Sequence, residues 1–267
     1  MFQFIVSSWR SGFRGKSFHA VFVFGLLLVL VAYLSGSFSP RQPQTVALDI
    51  GYSGLRFALT LLSLFWVQEL IGKEIDRRTT IFALTYPLPR SAYLLGRYLG
   101  IVTLAMLATI ALGLALWLVV MLAGSSYEQG FPPSLGLPFW TALAGLWLQV
   151  AVVTAFTVCI ASVSTVSVLP LAMGAAFAIA GNSIGAVREY LTRGADGDVA
   201  LVNRFDPLTG AIQWIVPDLS RLDWRLWPMY STAPDAAATG WALLLAVGYI
   251  ALLLTIAVAA FSRREFS

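Results

Sequence analysis

Six apolar stretches, each long enough to cross a bilayer and nearly free of charge, constrain this chain more than any other feature. A hydrocarbon core about 30 Å thick takes roughly 20 residues of helix at about 1.5 Å each. The stretches run from Phe18 to Gly36, Ile50 to Ile71, Tyr93 to Ala123, Pro138 to Ala161, Ser167 to Val187 and Ala237 to Phe261. In lipid each backbone N–H and C=O must be satisfied within the segment, so such runs predict helices. The expected fold is all-α and integral to the membrane, with six transmembrane helices in one membrane domain over residues 1–267. Only 11% of the residues are charged, well below the roughly 25% of a soluble domain. The third stretch exceeds what a bilayer needs and predicts a tilt or a cytoplasmic projection. Pro170 falls near the first turn of the fifth, where a missing N–H costs least. Basic residues precede the first stretch, as in a signal peptide. That run is too long for an h-region and lacks a clear small-residue cleavage site, so a retained span is expected.

Basic residues set the orientation. Arg10, Arg14 and Lys16 precede the first span, Lys73, Arg77, Arg78, Arg90 and Arg97 surround the second-to-third connection, and Arg263 and Arg264 follow the sixth. Six alternating spans put all of these on one side. The loop from Ser37 to Asp49 holds only Arg41, and that from Gly124 to Leu137 holds Glu128 and no basic residue. The positive-inside rule then predicts both termini in the cytoplasm and the long 188–236 loop outside.

Segments outside the spans carry their own patterns. Within residues 1–17, Phe2, Ile5, Val6, Trp9 and Phe13 share one helical face, with Gln3, Ser7, Arg10 and Arg14 on the other. That pattern predicts an interfacial helix, Trp9 at headgroup depth and the arginines toward anionic lipid. Residues 72–92 follow the second span with Ile71, Ile75, Phe82 and Tyr86 at helical spacing and Glu74, Arg77 and Arg78 around them. Pro87 and Pro89 end that helix, and Ser91 is placed to cap the third span. From the residues alone, a docking helix and a solvated connector are equally good readings.

The order of residues here resembles the permease subunits of type-two ABC exporters. The matching positions are Glu74, Arg77, Arg78, Thr79, Ile81, Leu84, Pro87, Arg90, Ser91, Leu94, Leu95, Gly96, Arg97, Leu99 and Gly100, and the stretch from Phe261 to Phe266 is similar to that family's cytoplasmic finish. Tyr86 and Pro89 depart from the pattern. The resemblance implies a multi-pass protein of the bacterial inner membrane that exports a substrate as a dimer, of two copies or with a homologous permease. Two separate cytoplasmic ATPase subunits would supply ATP and Mg; this chain would hold no cofactor. It also implies that Lys73, Glu74, Ile75, Arg77, Arg78, Thr79, Phe82, Tyr86, Pro87 and Arg90 form the coupling surface on the ATPase, with Gln68 and Glu69 as inner gate or hinge.

Catalytic constellations are missing. Gly15-Lys16-Ser17 mimics the end of a phosphate-binding loop, but Arg10 stands where its first glycine belongs and no strand precedes it. A single histidine, His19, excludes a histidine-cluster metal site and reads as an interfacial residue; Cys159 reads as packing. No enzyme activity and no nucleic-acid partner are expected. Ionisable residues inside spans are costly and default to function. Arg56, about one turn into the expected second span, either snorkels outward or lines a translocation path and attracts an anionic group. Gln149 and Asn182 are expected to bond between helices. The fifth span is rich in small residues, and Gly174, Ala178, Gly181 and Gly185 are candidates for a dimer seam or for packing within one subunit.

In the outer loop, Leu219, Leu222, Leu226 and Tyr230 share helical spacing, and Trp224 and Trp227 favour an interface. A short amphipathic helix on the outer leaflet is expected, capped at Asp218 or Ser220. Leu222, Trp224, Leu226 and Trp227 would form an outer gate or meet a periplasmic partner. Function thus divides between export and an alternative in which ATPase motion passes to that partner, as in metalloenzyme maturation, without transport. An intramembrane enzyme or passive channel is the third class, and Glu69 alone does not supply its chemistry.

Overall fold

The computed structural model describes residues 2–73, 90–124, 129–166, 168–192 and 217–263. A surface helix, α1 (Phe2–Arg14), precedes α2 (Lys16–Ser37), α3 (Pro43–Val67), α4 (Arg90–Ala123), α5 (Leu137–Val163), α6 (Leu169–Thr192), the short α7 (Leu226–Tyr230) and α8 (Ala236–Arg263). Six helices, α2 to α6 and α8, are long and apolar enough to span a membrane. The second starts earlier than the hydropathy pattern suggests. Pro43 opens α3 at a position where a proline N–H has no partner to lose, and α3 continues through a π-helical turn, Gln68–Gly72.

Lipid offers no hydrophobic drive for helix pairing, so close approach depends on small residues. α2 shows this plainly. Its buried residues, Val21, Gly25, Val29, Ala32 and Gly36, form one narrow stripe. Gly25 meets Ala58 and Leu112, and Gly36 meets Pro43 and Ala47, so α2 and α3 make a tight hairpin. The rest of α2, including Leu27, Leu30 and Leu34, faces outward. α8 repeats the scheme with Ala242, Ala246, Leu253, Ala257 and Phe261. At the centre stands α5, buried over 72% of its most apolar window against 22% for α2 and α8. Polar tips staple α5 to its neighbours. Tyr98 on α4 donates to the Ala151 carbonyl (3.3 Å), Trp147 on α5 donates back to the Val102 carbonyl (3.0 Å), and Tyr52 on α3 donates to the Phe139 carbonyl (2.8 Å). Thr154 and Thr157 bond to carbonyls four residues back, so no hydroxyl of these two is stranded.

The extra length of α4 has a use: its first turns are the platform for α1. Contact runs through Phe4, whose ring meets Tyr93 edge-on at 5.4 Å, and through the small residues that follow it on the same face. Ser8 is fully buried against Gly100, and Gly12 abuts Leu104 and Trp66. Trp9 donates to Thr103 Oγ1 (2.8 Å), while the bodies of Trp9 and Phe13 stay exposed on the lipid-facing side. Arg97, counted above among the charges that set orientation, is only 6% exposed; it donates to Ser7 and Ser8 Oγ (3.2 Å each) and lies over the Tyr93 ring. Ser7 therefore belongs to the docking face of α1.

A Cβ at Gly100 would sit 2.6 Å from Ser8 Cβ. Overpacking of this kind costs about 1–3 kcal/mol, so Gly100→Leu should displace α1. Maleimide labelling of Ser8→Cys, in a Cys159→Ala background, is expected to quicken about tenfold, since ~1.4 kcal/mol of protection corresponds to that factor.

Candidate functional site

Two polar assemblies stand out from the apolar bundle, one at the turn that extends α3 and one around Arg56, midway along it. The first is the π-turn. There the Lys73 N–H bonds five residues back to the Gln68 carbonyl, which widens the helix just where the second span hands over to the charged connection. Ser17, at the start of α2, donates to Glu69 Oε1 (2.6 Å), and Lys73 Nζ lies 3.5 Å from the same oxygen. Gly15 leaves room for Glu69, since a Cβ there would lie 2.6 Å from Oε2. The Gly15–Ser17 triplet thus anchors Glu69. Gln68 folds back onto Gly72, and its Oε1 is buried with no partner among the described residues. Lys73 is exposed, and α4 is helical from Arg90. Glu74, Ile75, Arg77, Arg78, Thr79, Phe82, Tyr86 and Pro87 lie outside the described residues, so the expected coupling surface is represented here by its two ends.

The second assembly surrounds Arg56. Measured from Pro43, Arg56 lies roughly 20 Å along the helix axis, near the middle of the Pro43–Gly72 span. Its guanidinium turns toward the 217–230 segment. Its Nη2 bonds to Asp223 Oδ2. Arg225 extends the chain of charges, meeting Asp223 Oδ2 at 3.2 Å, Asp49 Oδ1 at 2.9 Å and Ser53 Oγ at 3.1 Å. Two arginines and two aspartates thus tie the 217–230 segment to α3, and the network is neutral overall.

This segment is a strap, and it corrects the expectation of one amphipathic helix on the outer leaflet. Leu219–Leu222 form a single 3₁₀ turn capped by Asp218, which accepts from the Ser220 N–H (3.1 Å). The chain then extends through Asp223 and turns into α7. Leu219 and Leu222 are buried inside the protein, whereas Leu226 and Tyr230 are exposed, so the four do not share a face. Trp224 and the Leu222 carbonyl press on Gly145 of α5, and Trp227 is half-buried. Irregular backbone is tolerated among spans only when protein covers it, and here α5, α6 and α8 do so.

The strap also accounts for the small residues of α6. A side chain at Gly174 would run into Thr157 and Leu64, one at Gly181 into Leu219, and one at Gly185 into Ser220; Ala178 is buried beside them. These four residues pack against other parts of the same chain. Neither intramembrane amide bonds between helices: Asn182 donates to Ala178 on its own helix (2.8 Å), and buried Gln149 has no partner among the described residues.

Between α3 and α6 a groove of about 360 Å³ opens outward, walled by Phe57, Leu61, Leu64, Ala175 and Ile179, with Ser53, Arg56, Asn182 and Ser183 also lining it. Among the described residues no three His, Cys, Asp or Glu side chains gather as they would around a metal ion. Sequence reasoning missed Asp49, Asp223 and Arg225. Their only signal was acids and arginines near tryptophans in a loop too long for a plain connector.

The sequence profile of the ABC-2 family transporter proteins matches residues 26–190. The chain belongs to that family. An ABC-2 protein is the membrane permease component of an ABC transporter, which implies association with an ABC ATPase subunit. The match takes in the spans from α2 to α6, the π-turn and Arg56, and it ends before the strap and α8. No curated protein matches the chain significantly.

Removing one member of this part-buried ion pair, whose side chains are 21% and 15% exposed, leaves the other without its partner, at a cost of about 1–3 kcal/mol. Arg56→Gln and Asp223→Asn should each lower unfolding stability in mixed micelles by about that much. The double variant should lose less than the sum, with a coupling energy of about 1–3 kcal/mol in a double-mutant cycle.

Proposed function

We propose that this ABC-2 permease exports its substrate from the bacterial cytoplasm as a dimer carrying two ATPase subunits, with both termini and the 72–92 segment on the cytoplasmic side. ATP and Mg bind in the ATPase. The π-turn supports this reading most directly. It is a wide, deformable turn at the point where a push on residues 72–92 enters α3, and Glu69 ties it to the α1–α2 junction through Ser17. A force delivered there moves α3 together with the start of α2. α4, on which α1 is docked, receives the other end of the segment.

The groove between α3 and α6 favours export over the alternative of transmitting force to a periplasmic partner without transport. A pure transmission element has no use for an amphipathic groove on the helix that takes the stroke. Gln68 and Glu69 act as the hinge, and Arg56 marks the path.

Two experiments separate the parts of this reading. Arg78→Glu and Phe82→Asp should abolish co-purification with the ATPase subunit; retained assembly with full ATPase activity would overturn the coupling role. Glu69→Gln should keep the complex intact yet lower coupled ATP hydrolysis several-fold, as expected when a mechanical link loosens without loss of the docking surface.

A further inference from the structure

The groove between α3 and α6 is graded along its length. α3 and α6 run antiparallel, with Leu64 beside Gly174. Ser53 and Arg56, early in α3, therefore lie level with Asn182 and Ser183, late in α6. Leu61 and Leu64 lie level with Ala175 and Ala178. One end of the groove is polar and carries a cation, and the other is apolar apart from Thr60. From Ser53 to Leu64 the distance is roughly 16 Å of helix, about the length of a ten- to twelve-carbon chain. Phe57 and Ile179, 55% and 69% exposed, stand at its open side.

At the polar end, the guanidinium of Arg56 is held by Asp223 of the strap, from beside the groove. It holds Arg56 while also touching Arg225, which Asp49 holds in turn. If Asp223 lets go of Arg56, its carboxylate keeps Arg225 and no acid is left unpaired. Arg56 alone would need a new anion, and its Nε is already buried without a partner among the described residues. We infer that the α3–α6 groove is a binding site for a single-chain amphiphile with an anionic head, phosphate or carboxylate, and that Asp223 is a tethered stand-in for that head. The strap thereby sets a threshold: a ligand enters only when its head displaces Asp223 from Arg56, and its apparent affinity falls by the fraction of time the stand-in is seated. This names the substrate class of the path proposed above and rests on that reading. Its test needs no ATPase, so it fails separately from the coupling experiments.

The probe is decyl phosphate, added to the purified chain in phosphatidylcholine nanodiscs, with thermal unfolding as the readout. Decanol and inorganic phosphate serve as the two half-ligands. Wild type should be stabilised saturably by decyl phosphate and by neither half-ligand. Asp223→Asn should reach half-saturation at a concentration about tenfold lower, because the stand-in is gone. Asp223→Glu should behave as wild type, and Asp223→Asn/Arg56→Gln should lose the saturable response. An unchanged half-saturation in Asp223→Asn, or an unchanged response without Arg56, would overturn the proposal. An equal response to decanol would reduce the effect to bilayer partition, and an equal response to inorganic phosphate would reduce it to a bare anion site; either outcome also overturns it. Should the variants not fold, a diazirine-bearing decyl phosphate on wild type decides the matter. Labelling concentrated on residues 57–64 and 175–183 supports the groove, and labelling spread over the lipid-facing surface of α2 and α8 refutes it.

Discussion

A guanidinium near the middle of a membrane-spanning helix needs a counter-ion, and much of the architecture at one end of this protein follows from meeting that need. Leaving a charge bare in lipid is expensive. Asp223 supplies the opposite charge, but it stands 167 positions further along the chain. To deliver it, the segment between α6 and α8 has to dip among the spans. That descent puts irregular backbone at depth, which then has to be covered. Leu219 and Leu222 fill the space between α5, α6 and α8, Asp218 caps the turn, and Gly145, Gly181 and Gly185 clear room for it. One ion pair thus explains why so many small residues face the strap.

At the turn that extends α3 the organising interaction is weaker. Glu69 sits in a π-turn and holds Ser17 and Lys73. These are single hydrogen bonds and an exposed ion pair, worth little individually. Under the function proposed above, such a joint suits a place where one helix passes motion to another. Arg97 contrasts with it: buried, doubly bonded to Ser7 and Ser8 and stacked on Tyr93, it fixes α1 firmly to α4.

Several polar residues had two readings in the sequence, and the structure chose between them by geometry. Ser7 fell on the polar face of α1 because amphipathic patterns sort residues by polarity; packing against α4 sorts them by size as well, with Ser8 and Gly12 at the points of closest approach. Gly15-Lys16-Ser17, which mimicked a nucleotide loop, is a socket for Glu69.

What the sequence determined alone is the part ruled by local physics. Span number and length follow from the free energy of leaving peptide groups in lipid, so hydropathy located all six helices, and Pro170 fell in the first turn of α6 as expected. The family's pattern around residues 74–100 was legible for the same reason, being contiguous. Tertiary structure alone decided which glycines face which neighbour and which arginine meets which aspartate. Gly174 and Gly181 invite close packing in any partner, within the chain or outside it, and only the position of Thr157 and Leu219 says which was used. Arg56 advertises its need for an anion in one dimension. The identity of that anion is a distance between residues far apart in the chain, and no periodicity records it.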